Sequence, residues 1–274
     1  MRSPAVAHQR DHIATKRDSD TAAITKPGRS ESAKWGLPGF PLHVDDLSKQ
    51  ELDDQTRLGD DPEATRFSGG RFIILAMRIL RESDETEMVA VFLQGELSSE
   101  RFGAAVRDAL VAVGEPERLL ANPDLDDEHA NQVRNTVLAA TRGYGEDREL
   151  FEYFPAEVQW VWAQLAPEDL ARVRYIEYSY WNELSGGSRL AADAARRINA
   201  DVRPFGVSNA GAWQAARALL SGERFPPLIL AGPRYDDLVC LEGNVRLTAH
   251  ALAGFPIEAE CLVGTAPALK RWAQ

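Results

Sequence analysis

The sequence predicts an α+β protein whose C-terminal part is a mixed sheet packed with helices. Two short apolar runs, at residues 228–230 and 238–241, are typical of buried strands. Behind the second run, Leu247, Ala251 and Leu252 recur at the spacing of one helix face. Strand, turn, strand and helix are therefore expected to follow one another directly. A small α+β unit and a disordered N-terminal tail are predicted to precede this part of the chain.

Length and composition allow a sizeable hydrophobic core. The chain has 274 residues, of which 44% are hydrophobic, and its formal net charge is −11. Residues 1–34 hold seven Lys and Arg against four Asp and Glu, a net +3, which leaves −14 for residues 35–274. Proteins that bind nucleic acids usually present a basic face, so the charge argues against nucleic acid as a partner.

Composition divides the chain into four segments. Residues 1–34 contain few large apolar side chains and are predicted to be a disordered tail, and residues 35–68 an extended arm or linker. A small α+β unit is expected over residues 69–150 and a second domain over residues 151–274.

The sequence has no apolar run of about 18 residues and no signal-peptide core, and its His and Cys residues do not form a zinc-ligand pattern. We therefore expect a cytoplasmic protein without a membrane partner.

The first ordered unit is predicted to consist of a hairpin and two helices. Apolar runs at residues 72–77 and 88–93 are separated by a polar stretch, a pattern typical of a β-hairpin. Helices are expected over residues 99–113 and 127–141, since each has a capping residue at its start.

The second unit is rich in aromatic residues near its start. Trp160 and Trp162 lie on one strand face or two apart on a helix, and the pattern leaves both open. Cys240 and Cys261 lie in apolar runs and are predicted to be buried thiols. The other predicted elements are a strand over residues 173–181, a loop at 182–187, helices at 189–198, 211–220 and 244–252, a strand at 257–263, and a short helix within 264–274.

The turn from Glu242 to Arg246 is the first candidate site. It joins a strand end to a helix start, where free N–H groups of Gly243, Asn244 and Val245 can bind an anion. An arginine in a first helical turn opposes the helix dipole, so Arg246 is interpreted as a phosphate ligand or, alternatively, as the partner of a neighbouring acid. Glu242 would hold a metal ion or act as a catalytic base; the alternative is that it caps the helix or interacts favourably with the helix dipole.

A second candidate anion site is the glycine-rich stretch before the next predicted helix. Ser185, Gly186, Gly187 and Ser188 could wrap an anion with backbone N–H groups, and Arg189 could take a second phosphate. The stretch lacks the Gly-Lys-Ser/Thr ending of a Walker loop. The alternative is an ordinary helix N-cap formed by Ser188.

These elements resemble the ParB/sulfiredoxin-like superfamily over roughly residues 170–264. The resemblance depends on the element order and on Glu242, Gly243, Arg246 and Ala249, which match a Gly-x-x-Arg turn. Members of that superfamily bind nucleotides through this turn. The resemblance therefore implies phosphate binding and ATP, ADP or CTP with Mg²⁺ as the ligand.

Two functional hypotheses follow. The first is a nucleotide-binding domain that acts as an NTPase or small-molecule phosphotransferase, with Glu242, Arg246 and Arg189 lining one cleft. The second is a non-enzymatic interaction module or DNA-associated regulatory module of ParB-like fold. Val245 and Thr248 favour the second hypothesis, because the partition proteins of the superfamily carry further arginines at these positions. Thr248 itself is expected at the helix surface.

Overall fold

The computed structural model describes residues 77–99 and 101–274, which all belong to one compact unit. The predictions made for residues 1–34, 35–68 and 72–76 lie outside the described residues.

The described part of the chain is an α+β fold with a mixed sheet, as predicted. Its six strands are β1 (Arg78–Ser83), β2 (Gln159–Leu165), β3 (Arg174–Tyr175), β4 (Leu228–Arg234), β5 (Asp237–Glu242) and β6 (Ala259–Thr265). Its ten α-helices are α1 (Glu85–Leu97), α2 (Gly103–Val113), α3 (Arg118–Ala121), α4 (Glu128–Arg142), α5 (Pro167–Leu170), α6 (Ser179–Ser185), α7 (Ala191–Asn199), α8 (Ala210–Leu220), α9 (Asn244–Leu252) and α10 (Leu269–Trp272).

All six strands form a single sheet in the order β1-β2-β6-β4-β5-β3. The β1–β2, β2–β6 and β4–β5 pairs are antiparallel, whereas β4–β6 and β3–β5 are parallel. Because β1 comes from the first predicted unit and pairs with β2 beyond residue 150, the sheet crosses the predicted domain boundary. The N-terminal helices and the C-terminal strands therefore share one core.

Helices cover both faces of the sheet, and the strands alternate between them as a pleat requires. On one face, Trp160 and Trp162 of β2 pack with α1, α2, α4 and α10. On the other face, Val161 and Ala163 pack with α7, α8 and α9. The strand interpretation of the two tryptophans is thus the right one. Both cysteines are free and fully buried, as predicted.

The predicted hairpin is wrong, because residues 88–93 lie within helix α1. Asp84 caps this helix by accepting a hydrogen bond from the Glu87 backbone N–H at 2.8 Å. A short apolar run does not by itself distinguish a buried strand from a buried helix, and the capping Asp84 decides between them here. The strand β1 instead occupies part of the predicted polar turn, and as an edge strand it is largely exposed.

The predicted strand over residues 173–181 is also wrong beyond its first residues. Only Arg174 and Tyr175 pair with the sheet, and helix α6 begins at Ser179 and includes part of the predicted loop at 182–187. Aromatic residues favour strands, but here Trp181 stacks on Tyr175 at 4.7 Å between ring centroids. That packing lets the aromatic run turn back on itself as a helix.

Other local predictions are confirmed. Helix α2 ends at the left-handed Gly114, α4 is capped by Asp127, and α8 matches its predicted bounds within one residue. The predicted order of β4, β5 and α9 is also present.

Candidate functional site

The turn between β5 and α9 has the geometry that its sequence predicts. Strand β5 ends at Glu242, and Gly243 adopts φ +102° as the residue before the first turn of α9. A Cβ atom on Gly243 would lie 2.5 Å from Cδ2 of Leu228. Only glycine satisfies both the backbone conformation and the close packing.

Arg246 is paired rather than free. Its Nη1 donates to the carbonyl oxygens of Pro226 at 2.8 Å and Pro227 at 3.0 Å, and its Nη2 donates to Oε1 of Glu242. The side chain is 16% exposed. The pairing with a neighbouring acid, one of the two interpretations of Arg246, is therefore present in this structure.

Glu242 is likewise occupied. Its Oε1 accepts from Arg246 and its Oε2 accepts from the backbone N–H of Gly243. Each oxygen accepts one hydrogen bond and the side chain is 26% exposed, so the carboxylate keeps lone pairs for a further ligand or a proton.

The start of α9 retains donors for an anion. The first-turn N–H groups of Asn244, Val245 and Arg246 have no acceptor within their own helix, and no side chain caps this helix. Among the described residues, the side-chain Oδ1 of Asn244 has no hydrogen-bond partner although it is buried. Backbone donors thus lie beside an amide oxygen, which is an acceptor and would have to turn away from a bound anion.

A cleft of about 390 Å³ lies beside the Glu242–Arg246 pair. A Cβ atom on Gly95 would be 3.3 Å from Oε1 of Glu242 and 4.0 Å from Nη2 of Arg246. The pair therefore lies directly behind one end of the cleft. Most of the lining is apolar, and it consists of Glu87, Ala90, Val91, Gln94 and Gly95 from α1 together with Pro123, Leu125, Trp162, Pro226 and Pro227.

The segment Ser185–Arg189 does not offer the anion-binding N–H groups that its sequence suggests. The N–H groups of Gly186 and Gly187 donate to carbonyls of α6, and that of Arg189 donates to Oγ of Ser185 at 2.9 Å. Oγ of Ser188 accepts from the Leu190 N–H at 3.1 Å. The segment thus ends α6 and leads into α7, with Leu190 rather than Ser188 at the N-cap position.

Arg189 anchors the C-terminal end of the chain. Its Nε donates to the Tyr175 carbonyl at 2.9 Å and its Nη1 to the Ala273 carbonyl at 3.1 Å. It does not line the cleft beside Arg246. The structure therefore brings Glu242 and Arg246 together but does not add Arg189 to them.

Two charged residues near the site escaped the sequence analysis. Glu96 in the last turn of α1 is 4% exposed, and Arg142 in the last turn of α4 lies 3.7 Å from its Oε1. Glu96 falls at helical spacing from the core residues Phe92 and Leu93. A charged residue on an apolar helix face could have pointed to Glu96. That pattern can be recognised only once residues 88–93 are assigned to a helix.

Burial dominates the electrostatics of Glu96. The pKa of its carboxyl is raised to about 7, mainly by desolvation; the charge of Arg142 opposes the rise and that of Glu242 adds to it. A buried acid with such a pKa exchanges its proton near neutral pH.

Thr248 and His250 are core residues of α9. Thr248 is 1% exposed, so its predicted surface position is wrong, and His250 is 5% exposed. Burial lowers the pKa of His250 to about 4, so this imidazole is neutral at pH 7.

Comparison with known proteins gave no match: no family model, curated protein or solved structure is significantly similar to the chain. The ParB/sulfiredoxin-like resemblance therefore depends on the residues and element order alone. Within residues 77–99 and 101–274, no helix has the length and apolar character of a membrane span. The same residues contain no group of three or more His, Cys, Asp or Glu side chains arranged to hold a metal ion.

Proposed function

We propose that the protein binds a nucleotide, with a phosphate at the start of α9 and the base in the neighbouring cleft. The observation that carries this proposal is the contact between the two features. Gly95, Pro226 and Pro227 line the cleft; the two proline carbonyls accept hydrogen bonds from Arg246, and Gly95 lies so near the pair that a Cβ atom on it would be 3.3 Å from Oε1 of Glu242. The cleft volume lies within the range of about 300–1,000 Å³ that is usual for small-molecule sites.

Phosphate binding would exchange one anion for another. The guanidinium of Arg246 is planar and pairs equally well with a carboxylate or with a phosphate. A phosphate that displaces Glu242 would keep Arg246 paired and would gain the free N–H groups of Asn244 and Val245. The apolar lining, with Trp162 and Leu125, suits the face of a nucleobase.

Phosphoryl transfer is the enzymatic extension of this proposal. Glu242, once displaced, would lie beside the phosphates and could hold Mg²⁺ or accept the proton of an attacking water or substrate hydroxyl. The new oxygen–phosphorus bond would form as the bond to the bridging oxygen of the leaving nucleotide breaks. Positioning and charge neutralisation supply most of the catalysis of such reactions, so few protein groups are needed.

Calorimetric titration with ATP, ADP and CTP, each with Mg²⁺, tests binding. Heat of binding is expected with at least one of them, and Arg246→Gln should abolish it. The matched control is Arg196→Gln, because Arg196 is 76% exposed and pairs with Asp193 on α7. Absence of heat with all three nucleotides, at protein concentrations about a hundred times a micromolar Kd, would contradict the proposal.

A second pair of variants tests the position of the base. Leu125 lines the cleft and is 38% exposed, so Leu125→Trp should fill the cleft without touching Arg246. We expect it to weaken nucleotide binding at least tenfold while pyrophosphate binding is retained. Val111→Trp is the control, because Val111 is 77% exposed on α2 and does not line the cleft. Equal losses for the nucleotide and pyrophosphate would place the base elsewhere.

The competing function is a non-enzymatic interaction module. It is favoured by the full pairing of Glu242 and Arg246, which leaves the largely apolar cleft as the binding feature. Such a module would bind short apolar peptides, and Leu125→Trp would abolish that binding whereas Arg246→Gln would affect it only through stability. A peptide-array screen with these two variants, run beside the nucleotide titrations, separates the two functions.

A further inference from the structure

Glu96 is a buried carboxyl whose charge is poorly compensated by its neighbours. It lies in the last turn of α1 and is 4% exposed. Its Oε1 faces Nη1 of Arg142 at 3.7 Å, which is too long for a hydrogen bond, and its Oε2 has no hydrogen-bond partner in the described part of the chain. Leaving a carboxylate buried in this way is costly, and uptake of a proton removes that cost.

Charged groups from four neighbouring segments surround Glu96. They are Arg142 of α4, Arg101 between α1 and α2, Glu242 at the end of β5 and Arg246 of α9. The phenol of Tyr178 interacts electrostatically with Glu96, Arg142 and Arg101. The candidate site is close by, because a Cβ atom on the adjacent Gly95 would be 3.3 Å from Oε1 of Glu242 and 4.0 Å from Nη2 of Arg246, and the charges of both residues act on the Glu96 carboxyl. Any change of charge at that pair therefore acts on Glu96.

We infer that Glu96 is the proton-linked carboxyl of the site: it takes up a proton when an anion binds at Arg246. This inference rests on the proposed phosphate binding. An anion that takes the place of Glu242 on Arg246 adds its own negative charge near Glu96, while the displaced Glu242 carboxylate stays beside the site without its partner. Protonation of Glu96 then relieves the repulsion, so binding and proton uptake are coupled.

The sign of the coupling sets the pH dependence. A site that gains a proton on binding loses affinity as pH rises, by at most tenfold per pH unit for one proton. The free Glu96 has a pKa of about 7, and a bound anion raises it further. Affinity should therefore be constant below pH 6 and fall between about pH 7 and pH 8.5.

Sulfate is the probe for this test, because it does not change its own charge between pH 6 and pH 8.5. Binding is followed by the backbone amide NMR signals of Asn244 and Val245, and proton uptake by calorimetry in two buffers of different ionisation enthalpy. For the wild type we expect at least a fivefold loss of sulfate affinity between pH 6.5 and pH 8.5. Glu96→Gln should bind with an affinity that is independent of pH, and Glu115→Gln on the surface should behave as the wild type.

The outcomes separate the two proposals. Sulfate binding that is independent of pH in the wild type would overturn the role of Glu96 and leave phosphate binding intact. Binding of neither sulfate nor nucleotide at any pH would overturn phosphate binding, and with it this inference. A direct check is the Glu96 carboxyl titration by ¹³C NMR, in which Glu242→Gln should lower the pKa of Glu96. An unchanged pKa would show that the two carboxyls are not coupled.

Discussion

The hydroxyl of Tyr175 lies 2.6 Å from Oγ1 of Thr248, with both side chains fully buried. Oγ1 of Thr248 donates its own proton to the Asn244 carbonyl at 2.8 Å, so Tyr175 is the donor in the pair. This hydrogen bond joins the short edge strand β3 to the helix that begins at the candidate site. Desolvation raises the pKa of Tyr175 far above its usual value, so the phenol keeps its proton.

The two partners should differ in their cost of removal. Tyr175→Phe removes a donor and leaves Thr248 bonded to Asn244, and we expect a loss of about 1 kcal/mol. Thr248→Val leaves a buried phenol without an acceptor, for which we expect about 2–3 kcal/mol. Chemical denaturation of both variants and of the double variant measures the difference. If Tyr175→Phe were the costlier change, the assignment of the donor would be wrong.

Glu96 should make the protein less stable as the pH rises. Between about pH 4.5 and pH 7 the folded protein keeps a proton that the unfolded chain has lost, because burial raises the pKa of Glu96 from 4.5 to about 7. Each pKa unit corresponds to about 1.4 kcal/mol. The free energy of unfolding of Glu96→Gln, relative to wild type, should therefore rise by about 3 kcal/mol across this range. Urea denaturation at pH 5, 6, 7 and 8 tests this, and a relative stability that does not depend on pH would contradict it.

His250 should have the opposite effect at acid pH. Burial lowers the pKa of this imidazole from 6.5 to about 4, so between these values the unfolded chain binds a proton that the folded protein lacks. The contribution of His250 to the free energy of unfolding falls as the pH drops below 6.5, by up to about 3 kcal/mol at pH 4. His250→Gln should therefore unfold less readily in acid, relative to its own stability at pH 7.5, than the wild type does. An equal loss in both proteins would show that His250 titrates normally.

These two groups act against each other in the wild type. From about pH 4.5 to pH 6.5, the loss of stability due to Glu96 and the gain due to His250 nearly cancel. Each single variant should consequently show the pH dependence of stability that the remaining group causes. In this range the double variant should depend on pH as little as the wild type does, and each single variant should depend on it more.

Local patterns were sufficient to predict β4, β5 and α9. In these elements the burial pattern, the turn residue and the helix spacing all indicate the same structure. The Met88–Leu93 run could be either strand or helix, and the capping Asp84 together with packing on the sheet favours the helix. The two-residue strand β3 depends on the stacking of Trp181 on Tyr175, a contact that only the folded chain makes.

In the candidate site, too, some contacts could be predicted from local sequence and others could not. The Glu242–Arg246 spacing places the two side chains together from local geometry, since they lie four residues apart across a strand end and a helix turn. The contribution of Glu96 could not be predicted, because it comes from α1, about 150 residues earlier in the chain. The role of Arg189 could not be predicted either, because its acceptors, the carbonyls of Tyr175 and Ala273, are brought to it only by the fold.

Gly243 should be the least replaceable glycine of the site. Gly114 has a similar left-handed conformation, with φ +79°, but open space around its Cα, so Gly114→Ala should cost about 1–2 kcal/mol from backbone strain alone. Gly243→Ala adds a Cβ atom 2.5 Å from Leu228 and 3.2 Å from Nε of Arg246. Such overpacking typically costs a further 1–3 kcal/mol.

Thermal and urea unfolding of Gly243→Ala and Gly114→Ala, measured side by side, therefore separate backbone strain from crowding. We expect Gly243→Ala to lose at least twice as much stability. Leu228 is buried, so Leu228→Ala is itself destabilising and serves as the reference: in that background Gly243→Ala should cost only the backbone part, because the atom that the new Cβ would meet is gone. If Gly243→Ala and Gly114→Ala lost the same stability, Leu228 would have room to move, and crowding would add nothing to the backbone strain at Gly243.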